Sequence, residues 1–380
     1  MTTHALAAAP LLIWLYLLCG RGSFWRLSQR LSIVPAGNAA TASVAVVIPA
    51  RDEADLIADT IRSLLQQNYR GRIELIVVDD GSSDGTAAVA AAAAADIGEA
   101  ARLTVVRGAP LAAGWSGKLW AMSQGVETAA ALRADYLLFT DADIHHECDA
   151  VAALVARAEA EQLDLASCMV ELRTETLAEK LLVPAFVFFF FMLYPPQWIA
   201  STRARTAGAA GGCMLLRPRM LAAIGGLQSI RSALIDDCAL ARAVKSAGGR
   251  VWLGLTRSAR STRPYGSFRA VCRMISRTAF NQLRHSYLLL IGTLAGLLIT
   301  YALPQALLLS GDATSIAFGA GAWLLMSIAY RPIVHFYRLA PPWVLTLPLV
   351  ALFYAAATVH SALQYTLRRG GQWKGRVQDR

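Results

Sequence analysis

Between residues 44 and 140 short apolar runs alternate with helix-like stretches, and that alternation leaves few folds open. VAVVIPA (44–50), IELIVVDD (73–80), LTVVR (103–107) and LLFT (137–140) are each too short for a typical helix and apolar enough for a buried strand. Residues 52–67 carry early acids and an apolar face, and an alanine-rich run follows the second strand signal. Strand, helix, strand, helix predicts an α/β fold with a mainly parallel sheet and right-handed crossovers. Ligand loops of such a sheet gather at the carboxyl edge of the strands.

The fourth run delivers two acids to that edge, Asp141 and Asp143. Side chains alternate in direction along a strand, so both carboxylates reach one site only if the backbone turns there. Two carboxylates sharing a site repel unless a cation neutralises them, and a divalent metal whose shell is completed by phosphate oxygens is the natural partner. A polar turn capping the strand is the competing reading. The second run ends in Asp79-Asp80 and the turn Gly81-Ser82-Ser83-Asp84-Gly85, suited to hydrogen bonds with a base or ribose and equally to capping the next helix. In Gly114-Trp115-Ser116-Gly117-Lys118 the glycines permit close backbone approach and the ammonium can pair with a phosphate, although P-loop spacing is missing. Taken alone, Lys118 reads as a surface charge. Asp236 and Asp237 open a stretch that stops at Gly248-Gly249, which places both acids at a helix start. The helix dipole favours negative charge there, and capping is again the competing explanation.

The ends of the chain have a different texture. Hydrophobic residues make up 56% and charged residues 16%, more apolar than an ordinary soluble protein. The formal charge of +10 falls largely on arginines beside apolar segments, among them Arg21, Arg26 and Arg30, and on Arg368, Arg369, Lys374, Arg376 and Arg380 in the tail. That distribution favours an anionic membrane surface over nucleic acid. The six scattered cysteines argue against a disulfide framework or metal cluster and fit a reducing compartment. Residues 5–20 are apolar with arginines behind them, the pattern of an uncleaved anchor whose following domain is cytosolic. Residues 287–310, 313–330 and 343–365 are expected to cross the membrane, the first two as a hairpin. Charge on both sides of the third conflicts with a single crossing, and Pro342 and Pro348 allow a broken or re-entrant path. Residues 181–199, with three prolines and the run Phe188 to Phe191, are short for a span and read as an interfacial or re-entrant helix touching lipid. A buried core helix is the alternative. The chain then divides into an anchor and basic linker (1–42), an α/β domain (43–256), an arginine-rich interfacial region (257–286), a transmembrane bundle (287–366) and a basic tail (367–380). One or two arginines of the third region are available to a diphosphate.

Taken in order, VVIPARDEAD, IVVDDGSSDGT, GWSGKLWA, FTDAD and IDDCAL with AGGRV behind it resemble the inverting family 2 glycosyltransferases of the GT-A fold, over residues 44–255. The flanks are similar to the membrane-embedded ceramide-glucosyltransferase-like branch. GWSGKLWA, the phenylalanine run, RTAFNQLRHS and QWKGR are similar to the hopene-associated glycosyltransferases of bacterial hopanoid gene clusters. The resemblance implies a GT-A nucleotide-sugar-binding domain flanked by N- and C-terminal transmembrane helices, a UDP- or GDP-sugar donor, a lipid acceptor and Mg2+ or Mn2+. It also implies a multi-pass protein of the bacterial inner membrane with its catalytic domain in the cytosol. Pro49, Ala50, Arg51 and Glu53 match the first nucleotide loop, and Asp80 the acid that contacts the base or ribose. Lys118 matches a position near the diphosphate, while Asp141 and Asp143 match the DxD, with Asp143 as the direct metal ligand. The Glu-Asp pair of the family falls on Asp236-Asp237, which makes Asp237 the catalytic base. The (Q/R)xxRW sequence of membrane relatives is replaced by RMISRT at 273–278, without tryptophan. Either Arg277 takes the arginine's role or the WKGR stretch at 373–376 closes the site. Two rivals are a non-catalytic nucleotide-sugar-binding membrane scaffold or sensor, and a nucleotidyltransferase, which gives no reason for Asp237.

Overall fold

The computed structural model describes residues 2–32, 41–367, 372–373 and 376–377. The tail residues Arg368, Arg369, Lys374, Gly375 and Arg380 lie outside them. Eight strands form one sheet: β1 (Val44–Ala50), β2 (Ile73–Asp79), β3 (Leu103–Arg107), β4 (Tyr136–Phe139), β5 (Ile144–His146), β6 (Leu165–Glu171), β7 (Met214–Leu216) and β8 (Val251–Ser261), in the order β3-β2-β1-β4-β7-β6-β8-β5. β1 lies between β2 and β4 and is buried along its whole length, as its uninterrupted apolar sequence requires. Pro49 is tolerated inside it for a geometric reason. Ser43 and Val47 turn their carbonyls to β4, so Pro49 faces the same way, beyond the last register pair Val47–Phe139, where no ladder bond is missing.

Most of the pairing is parallel, as expected, but two short strands, β7 and β5, make the sheet mixed. β3, β2, β1 and β4 run parallel, as do β6 and β8, but β7 is antiparallel to β4 and β6, and β5 is antiparallel to β8. The chain leaves β6 at the edge that carries the acids, forms the Leu177–Leu193 helix, and re-enters the sheet from that same edge. A parallel return would need a crossover to the opposite edge.

The Leu177–Leu193 helix is fixed at its start by a capping box between Thr176 and Glu179. Glu179 is fully buried, and its Oε1 also accepts the N–H of Tyr265 at 2.8 Å, which ties the helix to the segment after β8. Lipid contact was the expected fate of the phenylalanines. Protein covers part of the run and leaves Phe189 and Phe190 partly exposed: Phe188 packs at 5.3 Å on both Phe24 and Tyr330, and Phe189 lies 5.8 Å from Tyr301 and 4.9 Å from Tyr354. Phe188 and Phe191 are buried.

Among the described residues, three helices are long and apolar enough to cross a membrane: Tyr287–Leu308, Ala313–Phe336 and Pro341–Thr366. Large apolar residues stand exposed on each, for instance Leu288, Leu324 and Leu349, as lipid-facing surfaces require. The third is one helical segment, a 3-10 start over Pro341–Thr346 passing into an α-helix with Pro348 in its first turn. The N-terminal Thr2–Gly20 helix has a shorter apolar part, Ala5–Gly20, and packs along Ala313–Phe336, which narrows the expected anchor to a helix added to this bundle. Near its middle, Trp14 compensates a proline. Pro304 removes the N–H that would bond the Thr300 carbonyl, the helix widens to a π turn over Leu298–Ala302, and the Trp14 indole donates to that carbonyl at 3.0 Å.

Candidate active site

The ends of β1, β2 and β4 bring their loops to one edge. After Phe139 the chain turns and pairs again only at Ile144, so the 141–143 stretch is the bend that allows two alternating carboxylates to share a wall. Asp141 and Asp143 both line a cavity of about 350 Å³, together with Pro49, Glu53, Lys118, Asp236 and Arg277. Neighbouring walls come from Ala233 and Leu234 and from the Phe268–Ser276 helix through Ala270, Arg273 and Met274.

Lys118 sits in the first turn of the Gly117–Ala130 helix and is largely enclosed. Its Nζ lies 2.8 Å from Asp141 Oδ1 and 3.3 Å from Asp236 Oδ2, so it joins the acids after β4 to the start of the Asp236–Ser246 helix. Burial works against its charge, but Asp141 and Asp236 outweigh that and hold the ammonium firmly protonated. Asp237 Oδ2 accepts the Gly211 N–H at 2.9 Å, and its Oδ1 accepts from Cys238 at 2.7 Å. A Cβ on Gly211 would stand 3.1 Å from Lys118 Nζ and 3.5 Å from Asp237 Oδ2, so the glycine is what lets this backbone approach both. Burial, and then the neighbouring Asp236 charge, push the Asp237 carboxyl up to about 6, against the pull of Lys118 and the two N–H groups.

The first nucleotide-loop residues divide. Pro49 and Glu53 reach the cavity, whereas Ala50, Arg51 and Asp80 stand together on the adjoining β1–β2 edge. Arg51 donates to the Asp80 carbonyl, with its Nη1 also 3.7 Å from the Asp80 carboxylate, and Asp80 donates its N–H to Ala50 O at 2.9 Å. The turn after Asp80 serves as more than a cap. Ser82 Oγ accepts the Asp52 N–H at 3.0 Å and Asp84 accepts that of Ala54 at 3.0 Å, holding Asp52 at a φ of 50°.

Arg263 was hidden in the sequence among the arginines of residues 257–284. It follows the end of β8, and its Nε donates to Asp143 Oδ2 at 2.9 Å while its Nη2 reaches both oxygens of Glu53 at 2.6 and 2.7 Å. Glu179, by contrast, carries a local signal in the sequence, since Thr176-x-x-Glu179 ahead of an apolar run is a capping-box signature. Arg277 does reach the cavity wall, one helical turn from Arg273. Lys374 and Gly375 of the WKGR stretch lie outside the described residues.

The profile of the family described as Glycosyltransferase like family 2 matches residues 41–281, more than half of the chain and all of the cavity. The chain belongs to glycosyltransferase family 2. It is 33% identical over 121 residues to the 4,4'-diaponeurosporenoate glycosyltransferase of Staphylococcus haemolyticus (strain JCSC1435) and 37% identical over 115 residues to that of Staphylococcus aureus (strain MRSA252). These matches cover 31% and 30% of this chain and 29% and 27% of the relatives, so it spans less than a third of their length. Among solved structures, the mannosyltransferase PcManGT from Pyrobaculum calidifontis in complex with GDP-Man and Mn2+ is similar over 95% of this chain and 96% of that one, with a TM-score of 0.57 and 19% identity. That likeness shows the fold, which is the GT-A α/β fold extended by membrane-type helices.

Proposed function

We propose that the chain transfers a sugar from a UDP- or GDP-sugar to a hydroxyl of a membrane lipid, with inversion at the anomeric carbon. The observation that carries this reading is the convergence of Asp141, Asp143, Lys118 and Asp236 on one cavity, with Asp237 beside them and a wall helix packed on a membrane-type helix. Asp141 and Asp143 offer hard carboxylate oxygens, and among the described residues no group of three His, Cys, Asp or Glu comes together to hold a metal. The donor set therefore fits Mg2+ or Mn2+ only if diphosphate oxygens and water complete the shell. When bound, such an ion supplies Lewis-acid neutralisation of the departing nucleoside diphosphate.

The chain's own groups supply the rest. Pro49, Ala50, Arg51, Glu53 and Asp80 form the nucleotide side, and Lys118 and Arg277 stand where diphosphate charge would fall. Asp237 accepts the proton of the attacking hydroxyl at its carboxylate, and Asp236 keeps Lys118 in register beside it. One in-line displacement inverts the anomeric carbon, and no covalent intermediate is needed. Ala233, Leu234 and Met274 give the Asp236 side of the cavity an apolar wall suited to a lipid. PcManGT, in complex with GDP-Man and Mn2+, and the two 4,4'-diaponeurosporenoate glycosyltransferases support the reading of donor, metal and lipid-like acceptor. A hopanoid or related polyisoprenoid acceptor in the bacterial inner membrane completes the proposal.

Asp237→Asn is expected to keep nucleotide-sugar binding by calorimetry and to lose turnover by roughly 10²- to 10⁴-fold, the range of a general base. Near-normal turnover in that variant, with Asp236→Asn the more damaged, would move the base to Asp236.

A further inference from the structure

Neither acid of the 141–143 stretch meets the cavity as a bare anion. Asp141 carries Lys118 at 2.8 Å. Asp143 carries Arg263 Nε at 2.9 Å and the Ser261 hydroxyl at 3.0 Å, on the same Oδ2. The other arm of the same guanidinium holds both oxygens of Glu53. Asp143 is 7% exposed and Glu53 8%, so two buried carboxylates from separate loops share one cation. Two carboxylates enclosed this closely repel, and the guanidinium between them offsets that repulsion. The placement of Arg263 is built into the backbone as well. Thr262, one residue earlier, donates both its N–H, at 2.8 Å, and its hydroxyl, at 3.0 Å, to the Asp143 carbonyl.

A divalent cation entering the nucleotide-free site would meet two obstacles. Lys118 and Arg263 already neutralise its ligands, and among the described residues no three His, Cys, Asp or Glu side chains converge to hold it by themselves. A diphosphate removes both obstacles, because it brings oxygens for the metal and offers both cations a new anion. We propose that Arg263 is the resident counter-cation of this site, a positioning residue that holds Glu53 and Asp143 together and releases Asp143 to the metal only when a nucleoside diphosphate arrives. The inference rests on the metal-dependent transfer proposed above and adds an order to it. Metal and nucleotide load together, and by linkage each raises the other's affinity by the same factor.

The test is Mn2+ binding, followed by electron paramagnetic resonance on the full chain in lipid nanodiscs, with and without GDP or UDP. Wild type is expected to bind Mn2+ weakly alone and roughly 5- to 150-fold more tightly with one of the nucleotides, the usual span of coupling between sites. Arg263→Lys keeps the charge but cannot bridge both acids, so it is expected to tighten nucleotide-free Mn2+ binding and shrink that ratio several-fold, with folding checked by thermal melting. Should the lysine variant not fold, Lys118→Met tests the same competition at Asp141 and is expected to shift nucleotide-free binding in the same direction. Equal wild-type affinity with and without nucleotide overturns the proposal, as does a folded Arg263→Lys protein with the wild-type ratio. Mn2+ binding in neither state overturns it together with the metal part of the proposed function. Metal-dependent transfer with no coupling removes this inference alone.

Discussion

Asp237 shows what a change of surroundings does to one carboxyl. Enclosed beside Asp236 and anchored by two N–H groups, it holds its proton up to a pH of about 6. A base works only when deprotonated, so kcat/KM is expected to rise about tenfold per pH unit below that value and to level off above it. A stopped assay between pH 5 and 8 checks this, and a flat profile would take the proton transfer away from Asp237. The stability consequence has the opposite sign. The folded-state value lies above that of an ordinary carboxyl, so Asp237 favours the fold at low pH and that contribution is lost as pH rises through about 6. Under the proposed mechanism the general base is thus a group whose ionisation works against the fold.

At the scale of elements, the Leu177–Leu193 helix is the piece that joins the two halves. Burial pushes the Glu179 carboxyl up, but the N–H groups of Thr176, Tyr265, Glu175 and Gly266 outweigh it and hold the carboxyl below the usual range. Its stabilisation is therefore present above the ordinary carboxylate range and lost as pH falls through the lower, folded-state value. Glu179→Gln puts an amide NH2 where one oxygen accepted hydrogen bonds, and it is expected to cost about 1–3 kcal/mol, read as a lower denaturation midpoint. An unchanged midpoint would show that the capping box and the Tyr265 tie are dispensable. The same scale explains what the sequence disclosed. β1, β2, β3 and β4 announced themselves because each is an apolar run with its own boundaries, and their ends placed Asp141 and Asp143 on the correct edge. β5 and β7, at three residues each, are too short to carry a period, so the mixed pairing was invisible. The phenylalanines announced apolar surroundings without saying whether lipid or protein supplies them. Arg263 was out of reach for another reason: its partners lie 120 and 210 residues away, and no local pattern separates it from the other arginines.

The whole molecule is a sheet domain whose cavity opens beside helices long and apolar enough to cross a membrane. The Phe268–Ser276 helix is wall to the cavity and neighbour to Pro341–Thr366, where Ser361 Oγ accepts the Phe280 N–H at 3.0 Å and donates to the Ser276 carbonyl at 2.5 Å. On the opposite flank, Arg257 of β8 donates to the Phe336 carbonyl and lies 4.8 Å from the centre of its ring. The sheet domain is thus tied to the Pro341–Thr366 and Ala313–Phe336 helices as well as to Tyr301, and under the proposed function an acceptor held in a bilayer would arrive at the apolar side of the acids. The most direct measurement is nucleoside diphosphate release and glycolipid formation by the purified full chain in lipid, across a panel of UDP- and GDP-sugars, with and without Mn2+ or Mg2+ and with and without extracted bacterial lipids. One donor is expected to give release and a glycolipid product only when lipid and metal are both present. Binding of nucleotide sugars without release under every lipid condition, or release as free sugar indifferent to lipid, would contradict the assignment of a lipid-directed transferase.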